Sequence, residues 1–565
     1  MTMTVLADKT KQLTATNRRK LTIDRNKIPK SYRDYLALLA ERGEVVEIND
    51  EVDWYLEMGA ILRHACETES AMPIFNRVKD APEFRAAEMG PTVSSEPGKR
   101  WQRLALMLGL PEDAELLEIQ DALLEAITAE PHDPIIVDRS EAPCKENIWT
   151  GDQVDLRKIP APILHDGDGG RYFQTAGAIM VRTPAGEKVP EGAYTVDKDA
   201  WTNWSFSRAM IAGSLPQDNT QPPAPKHVNP TGHDHAYEPH YSKNEIVGLW
   251  LPFQHNGMIY QMWTAQGKDC PFVIALGVPP AATVLLSAAP PAWHDEYLYA
   301  SSLLGEGLEM VKAETCDVMV PANCEIIIEG VVSATQSVAE GPFGEFPGYL
   351  ANEASLKPLA KISCITFRNK AILPICIPGI PIDSTLMLGC FCLSTTARMF
   401  FERSGLPVID CFSPFEASSH WLVVRVRDDW HRLTGMTVKE FIDKIAEVFW
   451  THHIGKTTAK IIVVGEDIPP DDIVKVSWAL ATRNNPDQGV FFYPQYDSDG
   501  TGLQIYLDVA TKLRGRGGLV AYSCLQIQQQ LNQPLEQVLS FETNYPIPLQ
   551  KKITEKWSQW GFDKK

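Results

Sequence analysis

Glu340-Gly341-Pro342-Phe343-Gly344-Glu345 sets two carboxylates five residues apart around two glycines, a proline and a phenylalanine. Pro342 cannot continue a helix or a central strand. Gly341 and Gly344 open backbone angles that other residues avoid. The stretch therefore reads as a tight loop that gathers two acids near one point, not as two acids on a helix face. Phe343 and Phe346 add apolar walls. A carboxyl group against aromatic rings and beside another carboxylate tends toward a raised pKa, which gives a protein a proton donor active near neutral pH. On spacing alone a polar surface turn explains the hexapeptide equally well, so its weight depends on the rest of the chain.

The 565 residues are 44% hydrophobic, enough for two or three packed domains. A net charge of −19 argues against general nucleic-acid binding, which wants a basic face. Eleven scattered cysteines, with Cys390 and Cys392 the closest pair, do not form a disulfide framework. A reduced, cytoplasmic setting is the expectation. No run of 18 apolar residues appears, and the apolar Ile372–Ile382 stretch is broken by three prolines, so no transmembrane helix is expected. Residues 1–30 are basic and Thr-rich but lack a strong apolar face, and read as a flexible or partner-packing arm.

Ser31 is placed to cap a helix over Tyr32–Arg42 that ends at Gly43. Asp53 is a candidate cap for a second helix toward Cys66. Leu116, Ile119, Leu123 and Ile127 recur at helical spacing. From Pro134 the texture becomes short strands with Gly and Pro punctuation: Ile135–Val137, Phe173–Val181, Glu245–Pro252, Phe272–Gly277 and Glu325–Val332. That pattern suggests a barrel or sandwich. Beyond Ser363, strands at Ala371–Ile377, Val408–Phe412, Trp421–Val426 and Lys460–Val464 alternate with helices at Val438–Trp450 and Asp471–Arg483, as in an α/β domain. A final helix spans Pro548–Trp560. Local physics assigns Asp168-Gly169-Gly170-Arg171-Tyr172 only an ordered loop. The Pro-rich 212–244 stretch holds His227, His233, His235 and His240, and reads as a solvated or intersubunit loop rather than a metal site.

Trp201-Thr202-Asn203-Trp204-Ser205-Phe206-Ser207-Arg208 mixes aromatics with amide, hydroxyl and guanidinium donors, and Arg208 offers a planar fork suited to a carboxylate or phosphate. An edge strand with a surface Arg explains it as well. Taken with the hexapeptide, with Leu251-Pro252-Phe253-Gln254-His255 and with Gly277-Val278-Pro279-Pro280, however, this block resembles the UbiD family of decarboxylases that use prenylated FMN. The resemblance runs from about Asp34 to Phe562. It implies an α+β and α/β protein: an arm over 1–30, an N-terminal α/β scaffold over 31–130, a flavin-binding split β-barrel over 131–365, and a C-terminal α/β dimerisation domain with terminal helix over 366–565. By the same resemblance Arg208, Glu340 and Glu345 are catalytic. Asn203, His255 and Glu296 hold a divalent ion, manganese or magnesium, as one amide, one imidazole and one carboxylate suit. Thr175, Trp204, Ser205 and Gln254 touch the cofactor together with those ligands and Arg208. Leu251, Gln254, Phe346 and Phe492 line the substrate pocket.

Two departures stand out. His453 occupies a position where relatives carry Lys, with Lys456 a nearby substitute cation. Ser523 replaces an acid expected after Arg514-Gly515-Arg516-Gly517-Gly518, which puts a potassium site in question although Arg483 matches. The implied chemistry is reversible loss of CO2 from an aromatic, heteroaromatic or aryl-alkenyl acid. Arg208 and Glu340 orient the substrate and Glu345 returns the proton. A cofactor must accept the electron pair, and a flavin prenyltransferase must supply that cofactor. A homodimer or higher homo-oligomer is expected. An FMN-dependent oxidoreductase and an inactive structural subunit of a carboxylase complex are the competing readings.

Overall fold

The computed structural model describes residues 18–213, 241–248, 250, 254–286, 292–350, 354–380, 382–452, 454–455, 458–493, 519–534 and 538–562. The expectations for His453, Lys456, Leu251, the four histidines of 212–244 and the Arg514–Gly518 loop lie outside these residues.

The centre is a closed barrel of six antiparallel strands. Running round it are Ile326–Glu340, Cys270–Leu276, Tyr172–Arg182, Thr202–Ile211, Glu245–Gly248 and Ser355–Phe367, and the last pairs back to the first. Closure leaves no free edge. Along Tyr172–Arg182 side chains alternate between two cores. Ala178 and Met180 join one apolar cluster, while Ile179 and Val181 join the other, the period of two that a strand buried on both faces requires. The expected strand at Glu325–Val332 is longer than its sequence signal. After an irregularity between Val332 and Ser337 it resumes pairing, and Glu340 ends it opposite Ser355. Glu340 is therefore fixed by strand register rather than carried on a free loop.

The N-terminal sheet has four strands in the order Val45–Val52, Met72–Val78, Phe84–Glu88 and Ala371–Ile375. Its fourth strand corrects the assignment of Ala371–Ile377 to the C-terminal domain. The strand pairs in parallel with Phe84–Glu88 from Ala371 to Ile375. Ser31 Oγ accepts from the Asp34 N–H at 3.2 Å and caps the Tyr32–Glu41 helix. Asp53 is no cap: its carboxylate accepts from the Tyr55 N–H, and the helix starts later, over Glu57–Glu67. The described part of the arm is not loose. Leu21, Ile23 and Ile28 are buried, and Arg18 bridges Asp121 at 3.1 Å and Asp410 at 2.5 Å, tying the N-terminal helix Leu116–Ile127 to the C-terminal sheet.

That sheet has five strands in the order Val408–Phe412, Trp421–Val426, Lys460–Val464, Leu519–Ser523 and Val490–Tyr493, with a parallel centre and antiparallel edges. The helix Ser384–Ser404 links it to the barrel side. This helix is long and apolar enough to cross a membrane by length and composition, but 83% of its most apolar window is buried in the fold. Because it is buried on most of its faces, with Ser394, Thr395, Thr396 and Arg398 buried among the apolar residues, it shows no amphipathic period to a reader of the sequence.

Candidate active site

Arg208 lies on the barrel strand Thr202–Ile211, opposite an irregularity in its neighbour. Phe173 pairs with Ala209 and Gly177 with Ser207, so three residues of one strand face Arg208 alone. Its guanidinium joins the two acids of the hexapeptide. Nε donates to Glu340 Oε1 at 3.0 Å and Nη1 lies 2.8 Å from Glu345 Oε1. Burial works against the guanidinium charge, but Glu340 and Glu345 outweigh it and hold the Arg208 pKa above its ordinary value. The Phe343 ring stacks on this cation, 4.3 Å from Cζ, and on Tyr172 at 4.5 Å. The aromatic wall thus supports Arg208. Phe346 points elsewhere and stacks on His420 of the C-terminal domain.

The two acids are not equivalent. Glu340 accepts from Arg208 and from the Tyr172 hydroxyl at 3.2 Å. Among the described residues Arg208 is the one side chain hydrogen-bonded or ion-paired to Glu345, which is also the more accessible, at 16% against 4%. Glu345 is the acid free to turn toward a ligand. Tyr172 is fully buried; burial and the neighbouring Glu340 push its phenol well above its usual pKa, so it stays a hydrogen-bond donor. Lys357 also approaches. Burial lowers its pKa, Glu340 raises it and Arg208 lowers it again. Of the glycines, Gly341 does adopt φ +93°. Gly344 is needed for space instead: a Cβ there would lie 2.3 Å from His165 Nδ1.

At the other end of the same strand Asn203 Nδ2 donates to Glu296 Oε1 at 2.6 Å, Trp204 N–H donates to Glu296 Oε2 at 2.8 Å, and the Ser205 hydroxyl donates to Asn203 Oδ1 at 2.6 Å. Glu296 opens the helix Glu296–Leu304 and is buried, which pushes its carboxyl well above the usual range. Among the described residues it has no ion-pair partner. A buried carboxyl with no ion-pair partner among the described residues, beside an asparagine side chain that also carries an oxygen donor, fits a divalent ion. His255, first residue of the helix His255–Ala265, packs its ring against Trp201 at 5.2 Å. The Trp204 indole N–H and the Ser207 hydroxyl are buried without a hydrogen-bond partner among the described residues, polar groups on this strand that a ligand could engage. Gln254 precedes the His255 helix. Thr175 lies on the Tyr172–Arg182 strand, and its side chain is outside the described set.

The expected pocket residue Phe492 and the expected potassium-site residues lie apart from this cluster. Phe492 sits on the edge strand Val490–Tyr493 of the C-terminal sheet and is 81% exposed, so within a single chain it lines no closed pocket. Ser523 and Arg483 also belong to the C-terminal domain. The Ser523 hydroxyl accepts from the Leu525 N–H, and Arg483 grips Asp467 at 2.6 and 2.8 Å. Neither joins the Asn203–Glu296 pair, because both are held by the other sheet. Sequence reasoning missed Tyr172, Lys357, His165 and Asp168. The last two lie in or beside the Asp168–Tyr172 block, whose fit to the acid loop only tertiary structure displays.

The chain's relatives give this barrel, with its buried cation between two acids, a reaction class. Residues 36–123, 135–381 and 387–518 match, in order, the N-terminal, Rift-related and C-terminal domains of 3-octaprenyl-4-hydroxybenzoate carboxy-lyase. The chain belongs to the UbiD family. It is 33% identical to the pyrrole-2-carboxylic acid decarboxylase of Pseudomonas aeruginosa over 540 residues, 95% of this chain and 99% of that one. It is 33% identical to ferulic acid decarboxylase 1 of Saccharomyces cerevisiae over 543 residues, 94% and 98% of the two chains. The fold resembles that of an evolved dimeric form of the UbiD-class enzyme HmfF from Pelotomaculum thermopropionicum in complex with prFMN (TM-score 0.66, 22% identity, 92% of this chain and 99% of that chain). It also resembles vanillic acid decarboxylase of Sedimentibacter hydroxybenzoicus in closed form (TM-score 0.72, 20% identity, 94% and 98%).

Proposed function

We propose that this chain catalyses the reversible, non-oxidative decarboxylation of an aromatic, heteroaromatic or α,β-unsaturated carboxylic acid with prenylated FMN. The observation that carries the reading is the Arg208 bridge between Glu340 and Glu345 inside the barrel. The names of the two decarboxylase relatives support the substrate class, and the prFMN complex of HmfF supports the cofactor. Bound here, the prenylated flavin supplies the electron sink for the pair left on carbon when CO2 departs. Asn203, Ser205 and Gln254 would hold the flavin, and Asn203, His255 and Glu296 would hold a manganese or magnesium ion.

The chain's own residues handle binding and the proton. Arg208 presents its fork to the substrate carboxylate. Glu340, fixed by Arg208 Nε and the Tyr172 hydroxyl, keeps that fork in one orientation. Glu345, with Arg208 its single side-chain partner among the described residues and with greater access, holds the proton at a carboxyl oxygen and delivers it to the carbon that has lost CO2. Because the same proton can be withdrawn again, carboxylation runs at high CO2. All eleven cysteines are free thiols, which supports a reducing, cytoplasmic setting. Ile547, Trp557, Trp560 and Phe562, between 44% and 77% exposed on and beside the terminal helix, support a homodimer formed through the C-terminal domain.

The test is CO2 release from pyrrole-2-carboxylate and from a phenylacrylate by protein co-expressed with a flavin prenyltransferase. Glu345→Gln should abolish it. NAD(P)H oxidation without CO2 release would replace this reading with an oxidoreductase.

A further inference from the structure

Apart from the Tyr172 hydroxyl, the Leu164–Tyr172 segment takes no part in the chemistry above, yet it grips the acid loop at several points. Asp168 Oδ1 accepts from the Gly344 N–H at 2.9 Å. The Gly169 N–H donates to Pro342 O at 2.7 Å. The Tyr172 hydroxyl lies 3.2 Å from both Pro342 O and Glu340 Oε1. The second Asp168 oxygen accepts from the backbone N–H groups of Leu164 and His165 at 3.3 and 2.9 Å, and faces His165 Nδ1 at 3.2 Å. His165 Nε2 lies 2.8 Å from Pro378 O. Both ring nitrogens therefore face acceptors. A neutral imidazole has one N–H and can serve only one of them; an imidazolium serves both. The ring also lies close against the loop: a Cβ at Gly344 would come within 2.3 Å of its Nδ1.

We propose that His165 and Asp168 are positioning residues for Glu345: an imidazolium bridges Asp168 to Pro378, and Asp168 holds the Gly344 backbone that carries Glu345 against Arg208. The proposal rests on the decarboxylase reading for the role of Glu345. The charged groups facing His165 are Asp168 on its own turn and Arg63 of the Glu57–Glu67 helix, which also donates to Ile377 O and Ile380 O on either side of Pro378. Burial lowers the His165 pKa and Arg63 lowers it further, but Asp168 and Pro378 O outweigh them, so the folded value lies above the ordinary 6.5. The brace is therefore complete below pH 6.5 and is lost as pH rises through the elevated folded value.

The experiment is hydrogen–deuterium exchange of the holoenzyme, read on the peptide containing Gly344, with kcat and KM measured from about pH 6 to about pH 9. Asp168→Ala removes one acceptor, so exchange at Gly344 should rise about tenfold and kcat fall about tenfold, with KM within about twofold. His165→Asn keeps a donor where Nδ1 stood and His165→Gln keeps one where Nε2 stood. Both should abolish the alkaline loss of kcat and of Gly344 protection seen in the unmodified enzyme. If Asp168→Ala fails to fold, the two histidine variants decide. Unchanged Gly344 exchange in Asp168→Ala, or an unchanged alkaline limb in both histidine variants, would overturn the proposal. Protection changes as stated in an enzyme that releases no CO2 would keep the brace and discard the decarboxylase reading.

Discussion

Arg208→Lys keeps the charge and removes the bridge. In the structure two different nitrogens serve two different acids, Nε for Glu340 at 3.0 Å and Nη1 for Glu345 at 2.8 Å. A single ammonium must reach both carboxylates from one nitrogen on a flexible stem, without the planar fork that sets Nε and Nη1 apart. The two acids are then no longer held in their present places, and at least one of the two short contacts is lost. One lost charge-assisted hydrogen bond costs about 1.5–3 kcal/mol. Expressed in the transition state, that is about 10- to 150-fold in kcat/KM. Arg208→Met goes further. It strands two acids whose side chains are 4% and 16% exposed, which should also cost about 3–5 kcal/mol of stability. The assay is CO2 release at matched flavin loading, with denaturant unfolding alongside. Arg208→Lys retaining kcat/KM within about twofold of the parent would refute the bridging argument.

Asn203→Ala and Glu296→Gln should each weaken divalent-ion binding by at least about tenfold, read by elemental analysis after dialysis; unchanged metal content in both would remove these residues from the ion site. Tyr172→Phe deletes a buried hydroxyl serving Glu340 and Pro342 O, and should cost about 1 kcal/mol of stability while lowering kcat more than it changes KM. Burial pushes the carboxyl of Asp383 up to about 7, so the folded chain binds a proton more tightly than the unfolded one, and stability falls as pH rises from about 4 to about 7. Asp383→Asn keeps the acceptor that caps Leu386 N–H and should flatten that slope, giving a higher unfolding midpoint at pH 8; an unchanged slope contradicts it. In sedimentation, Trp557→Asp should shift the chain toward a 63.0 kDa species, and a parent already entirely at that mass would exclude the dimer.

Much of the site is legible in the amino-acid sequence alone. Arg208, Glu340 and Glu345 stand in motifs, and the fold joins all three. Ser31 and the amphipathic helix Leu116–Ile127 announce themselves through local chemistry, a cap and a 3.6-residue period. What escapes has no local signature. The Ser384–Ser404 helix buries polar and apolar residues alike on most of its faces, so no apolar stripe marks it. The extension of the barrel strand to Glu340 depends on pairing with Leu356 and Ser355, partners that sequence order does not reveal. Ala371–Ile375 reads as a C-terminal strand because it follows the barrel in sequence, yet its partner is Phe84–Glu88, nearly three hundred residues earlier. His165 and Asp168 carry ordinary side chains in an ordinary turn. Their importance comes from Gly344, which lies at their side only once the barrel closes.

The most direct measurement is the mass and absorbance of the flavin released from protein made with and without a co-expressed flavin prenyltransferase. A prenylated FMN mass that appears only with the prenyltransferase, together with CO2 release by that preparation alone, is the predicted result. Plain FMN in both preparations, or no flavin in either, would contradict it.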